Sequence, residues 1–321
     1  MDAAGFLADL ELVPQTLMAL AGALEAGDLP IGAVTSGPPR VLMLGMGSSA
    51  YAAGVVAARL RAAGVAAVAD LASSSLLPPP QPGLLVVAVS ASGGSAETLT
   101  AVRPHLGVST VVVVTESTTS ALVDGADIVL PLLAGREVGG VSCRSYRHTM
   151  AVLLAVAEQI HPGVAPDVPG ACRRAADATA MLLQSRQGWL PQVATALSGP
   201  SGSWVVAPAA RLASAQQSAL MLREGPRRPS HACESGDWSH VDVYLTKNLD
   251  YRMLFIPGSP WDRELLRWTV ERGSTVVAVG EPVPGATCTV TYPGHDLGDV
   301  AILTETTVAE MVAQRWWAEP D

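Results

Sequence analysis

The stretch VLMLGMGSSAYAAG, Val41 to Gly54, combines a short apolar run, a tight glycine turn and the start of an alanine-rich helix. Gly45, Gly47 and Ala50 fit the G-x-G-x-x-A pattern of dinucleotide-binding turns. Asp70 closes the next apolar run at about the spacing of a ribose contact. Because any tight strand-to-helix turn selects glycine, the pattern leaves open whether this turn holds a nicotinamide cofactor or another anion.

A second stretch, VVAVSASGGSAETL, places Ser90, Ser92 and Ser95 between an apolar strand and the start of a helix. A glycine pair within it allows a ligand to approach the backbone. Exposed N–H groups and hydroxyls can bind a phosphate here without lysine or arginine. A simpler interpretation is that Ser95 only caps the helix and the glycines only form the turn. That interpretation accounts for one serine and leaves two unexplained.

A third pair of residues suits proton transfer. Glu224 ends the predicted helix LASAQQSALMLRE, and the helix breaker GP follows at once. The negative end of the helix dipole favours a raised pKa for Glu224, which suits a general base. The alternatives are a solvated acid compensated by nearby arginines and, for His240 in GDWSHVD, an ordinary surface histidine.

Composition narrows the class of protein. The 321 residues are 49% hydrophobic and 15% charged, with a net charge of −9 and no basic run. We therefore expect neither a nucleic-acid partner nor a membrane partner. The N-terminus lacks the basic start of a signal peptide, and no apolar segment approaches the ~20 residues of a membrane span, which predicts a cytoplasmic protein. The four cysteines form no C-x-x-C pair, which predicts neither a metal site nor disulfides.

Apolar β-branched runs alternate with helical segments along the whole chain, which predicts α/β domains with parallel sheets. The Pro/Gly-rich segment His161 to Gly170 predicts a boundary, with one domain at 1–165, including an N-terminal helix, and a second at 171–321. LLVVAVSASGGSAETLTAVRPHLGVSTVVVVTE and RMLFIPGSPWDRELLRWTVERGSTVVAVGE share the order strand, loop, helix, strand. The sequence therefore predicts two similar doubly wound, flavodoxin-like domains in tandem.

Read together, these motifs resemble the sugar isomerase (SIS) domain family, in particular the tandem-SIS isomerase half of glucosamine-6-phosphate synthases. GSS at Gly47 is similar to that family's G-T-S turn, and SASG at Ser90 to its S-Q-S-G phosphate loop. EVGGVSCRSYRHT is similar to E-I-G-V-A-S-T-K-A-F-T-T. The resemblance implies a sugar phosphate as ligand, no cofactor, and the following substrate-binding residues: Gly47, Ser48, Ser49, Ser90, Ala91, Ser92, Gly93, Ser95, Ser142 and Arg144.

The same resemblance places Glu224 on the family's catalytic glutamate and His240 on its ring-opening histidine. It also exposes departures. Met221 replaces a lysine one turn before the glutamate, and Gln217 replaces an acidic residue upstream. The chain has a single lysine, Lys247, between two predicted strands, so we expect no lysine imine to the sugar carbonyl.

The expected function is aldose–ketose isomerisation of a phosphosugar without a glutaminase domain. A related amino-sugar-phosphate deaminase would use the same residues. The alternative is a phosphosugar sensor that binds without turnover. The resemblance also implies a homodimer in which the histidine reaches its site across the subunit interface.

Overall fold

The computed structural model describes residues 1–319 and contains two compact units. The N-terminal unit comprises Gln15–Arg136 and Arg144–Arg173. The C-terminal unit comprises Met1–Pro14, Glu137–Cys143 and Arg174–Asp321. This division differs from the predicted one in three places. The start of the chain and the short segment Glu137–Cys143 belong with the C-terminal unit, and the last segment of that unit begins at Arg174 rather than at residue 171.

The N-terminal unit is a five-stranded parallel sheet with helices. Its elements, two of which extend into the C-terminal unit, are α1 (Ala3–Ala26), β1 (Arg40–Gly45), α2 (Ser48–Ala62), β2 (Ala67–Leu71), β3 (Leu84–Val89), α3 (Ala96–Val102), β4 (Thr110–Thr115), β5 (Ile128–Pro131), α4 (Arg144–Ile160) and α5 (Val168–Gln184). The strand order is β2-β1-β3-β4-β5. Every residue of β3 is buried, as its unbroken apolar run predicts for a strand covered on both faces.

The C-terminal unit repeats this plan. Its elements are α6 (Arg186–Leu197), β6 (Ser203–Ala207), α7 (Leu212–Glu224), β7 (Ser230–Glu234), α8 (Ser235–Trp238), β8 (Arg252–Phe255), α9 (Asp262–Glu271), β9 (Thr275–Val279), β10 (Cys288–Val290), α10 (Gly298–Thr304) and α11 (Thr306–Ala318). Its strand order, β10-β9-β8-β6-β7, is the same 2-1-3-4-5 order when strands are counted within the unit. The predicted fold class and the internal repeat are therefore confirmed.

Among residues 1–319, one helix, α1, is long and apolar enough to cross a membrane by length and composition alone. The sequence prediction had found no such segment. Leu17 and Leu20 are fully buried in the N-terminal unit, and Phe6 and Leu10 belong to the core of the C-terminal unit. One face of α1 therefore contributes to the protein core.

The predicted strand before Lys247 is instead a 3-10 helix, Asp242–Lys247. Arg272 holds it in place by donating from Nη1 to the Val243 carbonyl at 2.6 Å and to Thr246 Oγ1 at 2.8 Å. A short apolar run is compatible with either form, and here the side chain of the residue that follows α9 decides between them.

Candidate functional site

The loops predicted to bind phosphate meet at one edge of the N-terminal sheet. β1 and β3 are neighbours, but the chain leaves β1 towards β2 and leaves β3 towards β4 on the other side. In open parallel sheets this switch point leaves a crevice at the carboxyl ends of the strands, where ligands bind. The turn after β1 holds Gly47, Ser48 and Ser49, and the loop after β3 runs from Ser90 to Ser95.

The turn between β1 and α2 leaves hydrogen-bonding groups unpaired. Gly47 has a φ of +50°, and a Cβ on Gly45 would lie 2.9 Å from Ser49, so both positions require glycine. No side chain caps the start of α2. The hydroxyls of Ser48 and Ser49, both half-buried, have no hydrogen-bond partner among the residues described. The positive end of a 15-residue helix and two unpaired hydroxyls are thus available to a ligand.

The loop between β3 and α3 is tightly packed. Gly93 has a φ of +65°, and a Cβ there would overlap Ser120. Ser90 is buried, and exposed Ser92 accepts a hydrogen bond from the Gly94 N–H at 3.3 Å. Ser95 does cap α3 by accepting from the Thr98 N–H at 3.3 Å. The capping interpretation therefore describes Ser95, as the simpler alternative predicted for that one serine.

Glu116, which the sequence reasoning missed, joins two loops at this edge. Its N–H donates to the Ala91 carbonyl at 3.0 Å, inside the predicted phosphate loop. Its carboxylate accepts from the N–H groups of Ala134 at 2.9 Å and Gly135 at 3.0 Å. The available signal was its position, because an acidic residue directly after a buried strand lies at the carboxyl edge of the sheet.

Arg144 is nearly fully buried at the start of α4. It donates from Nη1 to the Ala134 carbonyl at 2.5 Å and from Nη2 to the Arg136 carbonyl at 2.6 Å. The same loop contains Leu133, whose φ of +58° is strained for a residue with a side chain. This geometry supports a role for Arg144 in holding the loop, while its predicted contact with phosphate stays a prediction.

The equivalent edge of the C-terminal sheet is occupied by the chain's own carboxylates. Asp262 accepts from the N–H groups of Gly258 at 2.6 Å and Ser259 at 2.9 Å in the loop after β8. Arg211, after β6, pairs at 2.7 Å with Glu305, which is fully buried. Because these donors are already satisfied, we expect an anionic ligand at the N-terminal edge rather than here.

Glu224 is the last residue of α7 and is half-buried. Its carboxylate makes no hydrogen bond or ion pair among the residues described. Burial raises the pKa of Glu224, and the nearby charge of Arg223 opposes that rise only in part. The direction matches the sequence prediction, but the cause is desolvation rather than the helix dipole.

Ser142 lies in the same unit as Glu224. Its carbonyl accepts a hydrogen bond at 2.7 Å from Nε2 of Gln217 on α7. The Ser142 hydroxyl is half-buried and has no partner among the described residues. Helix α7 thus carries Glu224 and also anchors the serine predicted to contact the sugar.

His240 is exposed in the turn after α8, and its backbone N–H donates to the Asp237 carbonyl at 2.8 Å. The structure records no contact between its ring and Glu224. Four exposed apolar residues follow it closely: Val241, Tyr244, Leu245 and Leu249. Among residues 1–319, no three His, Cys, Asp or Glu side chains are placed to hold a metal ion.

Comparison with known proteins identifies the segment that carries this edge. Residues 36–159 match the SIS domain family. The resemblance predicted from the motifs at Gly47, Ser90 and Glu137 is confirmed, and the second unit repeats the same topology.

A curated relative, the glutamine–fructose-6-phosphate aminotransferase (isomerizing) of Aeropyrum pernix, is 28% identical over 225 residues. The match covers 67% of this chain but only 36% of that protein. The present chain therefore corresponds to about a third of its length.

Solved structures containing SIS domains share the fold across nearly the whole chain. The C-terminal domain of glucosamine-fructose-6-phosphate aminotransferase from Francisella tularensis superposes with a TM-score of 0.78 at 17% identity, covering 96% of this chain and 95% of that one. Tagatose-6-phosphate ketose/aldose isomerase from Escherichia coli gives 0.78 at 18%, covering 98% and 94%. Glucosamine-6-phosphate deaminase from Thermotoga maritima gives 0.71 at 17%, covering 98% and 94%. At these identities the comparisons establish the fold.

Proposed function

We propose that this protein is a phosphosugar aldose–ketose isomerase. The observation that carries the proposal is Glu224, a half-buried carboxylate without a hydrogen-bond partner and with a raised pKa, in a tandem SIS fold. Carboxyl groups in such surroundings are suited to taking up and returning a proton near neutral pH. The named activities of the superposed structures, an aldose–ketose isomerase and two enzymes of amino-sugar phosphates, support the same substrate class.

The phosphate is proposed to bind at the carboxyl edge of the N-terminal sheet. The uncapped start of α2 supplies partial positive charge, and Ser48, Ser49, Ser90 and Ser92 supply hydroxyl groups. Gly93 lets the loop after β3 approach the ligand closely. An anion held by backbone dipoles and hydroxyls needs no lysine, which fits a chain that contains only one.

The chemistry proposed for Glu224 is a balanced proton shuttle. The carboxylate removes the proton from C2 of the open-chain aldose phosphate, and an enediol forms as the C1 carbonyl oxygen gains a proton. The same carboxyl group returns its proton to C1 while the C2 hydroxyl loses one and becomes the ketone. Atoms and electrons balance without a redox cofactor.

His240 is proposed to open the sugar ring by protonating the ring oxygen. We further propose that it acts in the site of a second copy of the chain. The exposed apolar residues Val241, Tyr244, Leu245 and Leu249 follow it closely in the sequence, and exposed apolar residues at such density are typical of a protein interface. A homodimer would cover this surface and bring each His240 to the site of the other copy of the chain.

The second candidate is a phosphosugar sensor without turnover. It is favoured by Met221, which is buried on α7 at the position where the resembling family has a lysine. Lys247 offers no replacement within its own unit, since its Nζ lies 5.5 Å from the ring centroid of exposed Tyr244. A deaminase of amino-sugar phosphates would share the proton chemistry of Glu224.

Calorimetric titration with fructose-, glucose-, mannose- and glucosamine-6-phosphate and pentose-5-phosphates tests the binding half of the proposal. Ser92→Ala and Ser48→Ala are expected to weaken binding of the preferred sugar phosphate, by about ten- to a hundred-fold each for one lost hydrogen bond to a charged group. The matched control is Ser75→Ala, an exposed serine in the loop after β2. Equal affinities for all three variants and the wild type would place the phosphate elsewhere.

A further inference from the structure

Gln217 occupies an unusual position on α7. It is fully buried, and its Nε2 donates to the Ser142 carbonyl at 2.7 Å. Its Oε1 is also buried and has no partner among residues 1–319. Met221 and Glu224 follow at i+4 and i+7, so the three side chains share one face of the helix. Gln217 therefore links the helix that carries the proposed base to the segment that carries the proposed sugar contact.

The chemistry of this link requires a neutral donor. The acceptor is a backbone carbonyl, which an amide N–H satisfies at every pH. An ionised carboxylate at the same place would repel that carbonyl. The buried carboxyl group of Glu310 lies on α11, which packs against α7, and buried Glu305 directly precedes α11 and pairs with Arg211. A further buried negative charge at position 217 is therefore unfavourable.

We propose that Gln217 is the positioning residue that holds Ser142 in place for the sugar, and that a permanently neutral donor is required at this site. The inference rests on the proposed function, in which the Ser142 hydroxyl contacts a phosphosugar. Gln217 itself acts through Ser142 and takes no part in the proton transfer.

The test is Gln217→Glu, with Gln216→Glu as the matched control on the next, half-buried position of the helix. The introduced carboxyl group takes the fully buried place of the amide, and burial raises its pKa above that of a free glutamate. When protonated it donates to Ser142 as the amide does, and when ionised it repels the carbonyl. The KM of the variant for the preferred sugar phosphate is expected to equal that of the wild type near pH 5. By pH 8 it should rise about ten-fold or more, with kcat within about two-fold.

A second readout is independent of catalysis. Hydrogen–deuterium exchange reports on the segment 137–143, where the Cys143 N–H donates to Glu137 Oε1 at 2.6 Å and the Gly139 N–H donates to Asp9 Oδ2 at 2.7 Å. In Gln217→Glu these amides are expected to exchange faster as pH rises, beyond the intrinsic pH effect measured in Gln216→Glu. If Gln217→Glu does not fold, Gln217→Met removes the donor without a charge. It should then raise KM about five- to ten-fold at every pH.

The two readouts separate the possible failures. If the wild type turns over no sugar phosphate, the proposed function is contradicted. If segment 137–143 of the variant nevertheless exchanges faster as pH rises, Gln217 remains the anchor of that segment. An active enzyme whose KM and exchange are unchanged in both Gln217 variants would overturn the inference and leave the proposed function intact.

Discussion

Substitution of Gly93 by alanine tests the packing of the proposed phosphate loop. At this position two separate costs arise. The φ of +65° is unfavourable for a residue with a Cβ, by about 1–2 kcal/mol. The new Cβ would also overlap Ser120 Oγ and lie 2.5 Å from Ser120 Cβ and 3.1 Å from Thr115 Oγ1. Overpacking of this kind adds about 1–3 kcal/mol. The expected loss in the free energy of unfolding is therefore about 2–5 kcal/mol.

Gly107→Ala provides the control for backbone strain. Gly107 lies in the same unit with a φ of +73°, but a Cβ there meets nothing within 4 Å. Its loss should be the strain alone, about 1–2 kcal/mol. In a double-mutant cycle, Ser120→Gly added to Gly93→Ala should recover the stability that overpacking removes. The loss caused by backbone strain should remain.

Urea denaturation gives these free energies, and titration with the preferred sugar phosphate gives the affinities. Gly93→Ala is expected to displace the loop and so to weaken binding at least ten-fold, which corresponds to about 1.4 kcal/mol or more of binding free energy. Gly107→Ala should bind like the wild type. Equal stability losses in the two alanine variants, or no coupling between Gly93 and Ser120, would refute the described packing.

Three further predictions follow from other parts of the structure. Burial lowers the pKa of His148 to about 4, so the unfolded chain binds more protons than the native one between about pH 6.5 and pH 4. The wild type should therefore lose about 2 kcal/mol more stability than His148→Gln between pH 7 and pH 5, measured by urea denaturation; equal losses would contradict the buried neutral histidine. Tyr244→Glu should convert a dimer into a monomer in sedimentation at micromolar concentration, and a monomeric wild type would remove the support for a shared site. Asp262→Ala should free the N–H groups of Gly258 and Ser259, so inorganic phosphate should raise the melting temperature of this variant more than that of the wild type; identical shifts would show that this edge accepts no anion.

The fold was largely predictable because its signals are local and repeated. Continuous apolar runs such as LLVVAV and TVVVVT form strands buried on both faces, and their alternation with helices leads to parallel pairing. The glycine and serine turns after β1 and β3 were recognisable because tight turns between a strand and a helix require these residue types. Glu224 was found from the helix end that it forms.

The remaining features depend on contacts between residues far apart in sequence. Glu137–Cys143 joins the C-terminal unit because its partners, such as Asp9 and Gln217, come from distant parts of the chain. Arg144 is buried because its guanidinium group donates hydrogen bonds to carbonyl groups of a strained loop. Asp242–Lys247 forms a 3-10 helix because Arg272 donates to the Val243 carbonyl and to the Thr246 hydroxyl. None of these partners lies within the window that a local pattern covers.

Proton exchange at the sugar carbons directly tests whether Glu224 is the base of a phosphosugar isomerase. The purified protein would be incubated in D2O with the panel of sugar phosphates and followed by proton NMR, beside Glu224→Gln and the control Glu234→Gln, a residue that caps α8. We expect loss of the C1 or C2 proton signal of one substrate in the wild type and in Glu234→Gln. We expect no exchange in Glu224→Gln, which should still bind that substrate with unchanged affinity. Exchange that persists in Glu224→Gln, or binding without exchange in the wild type, would contradict the assignment of Glu224 as the base.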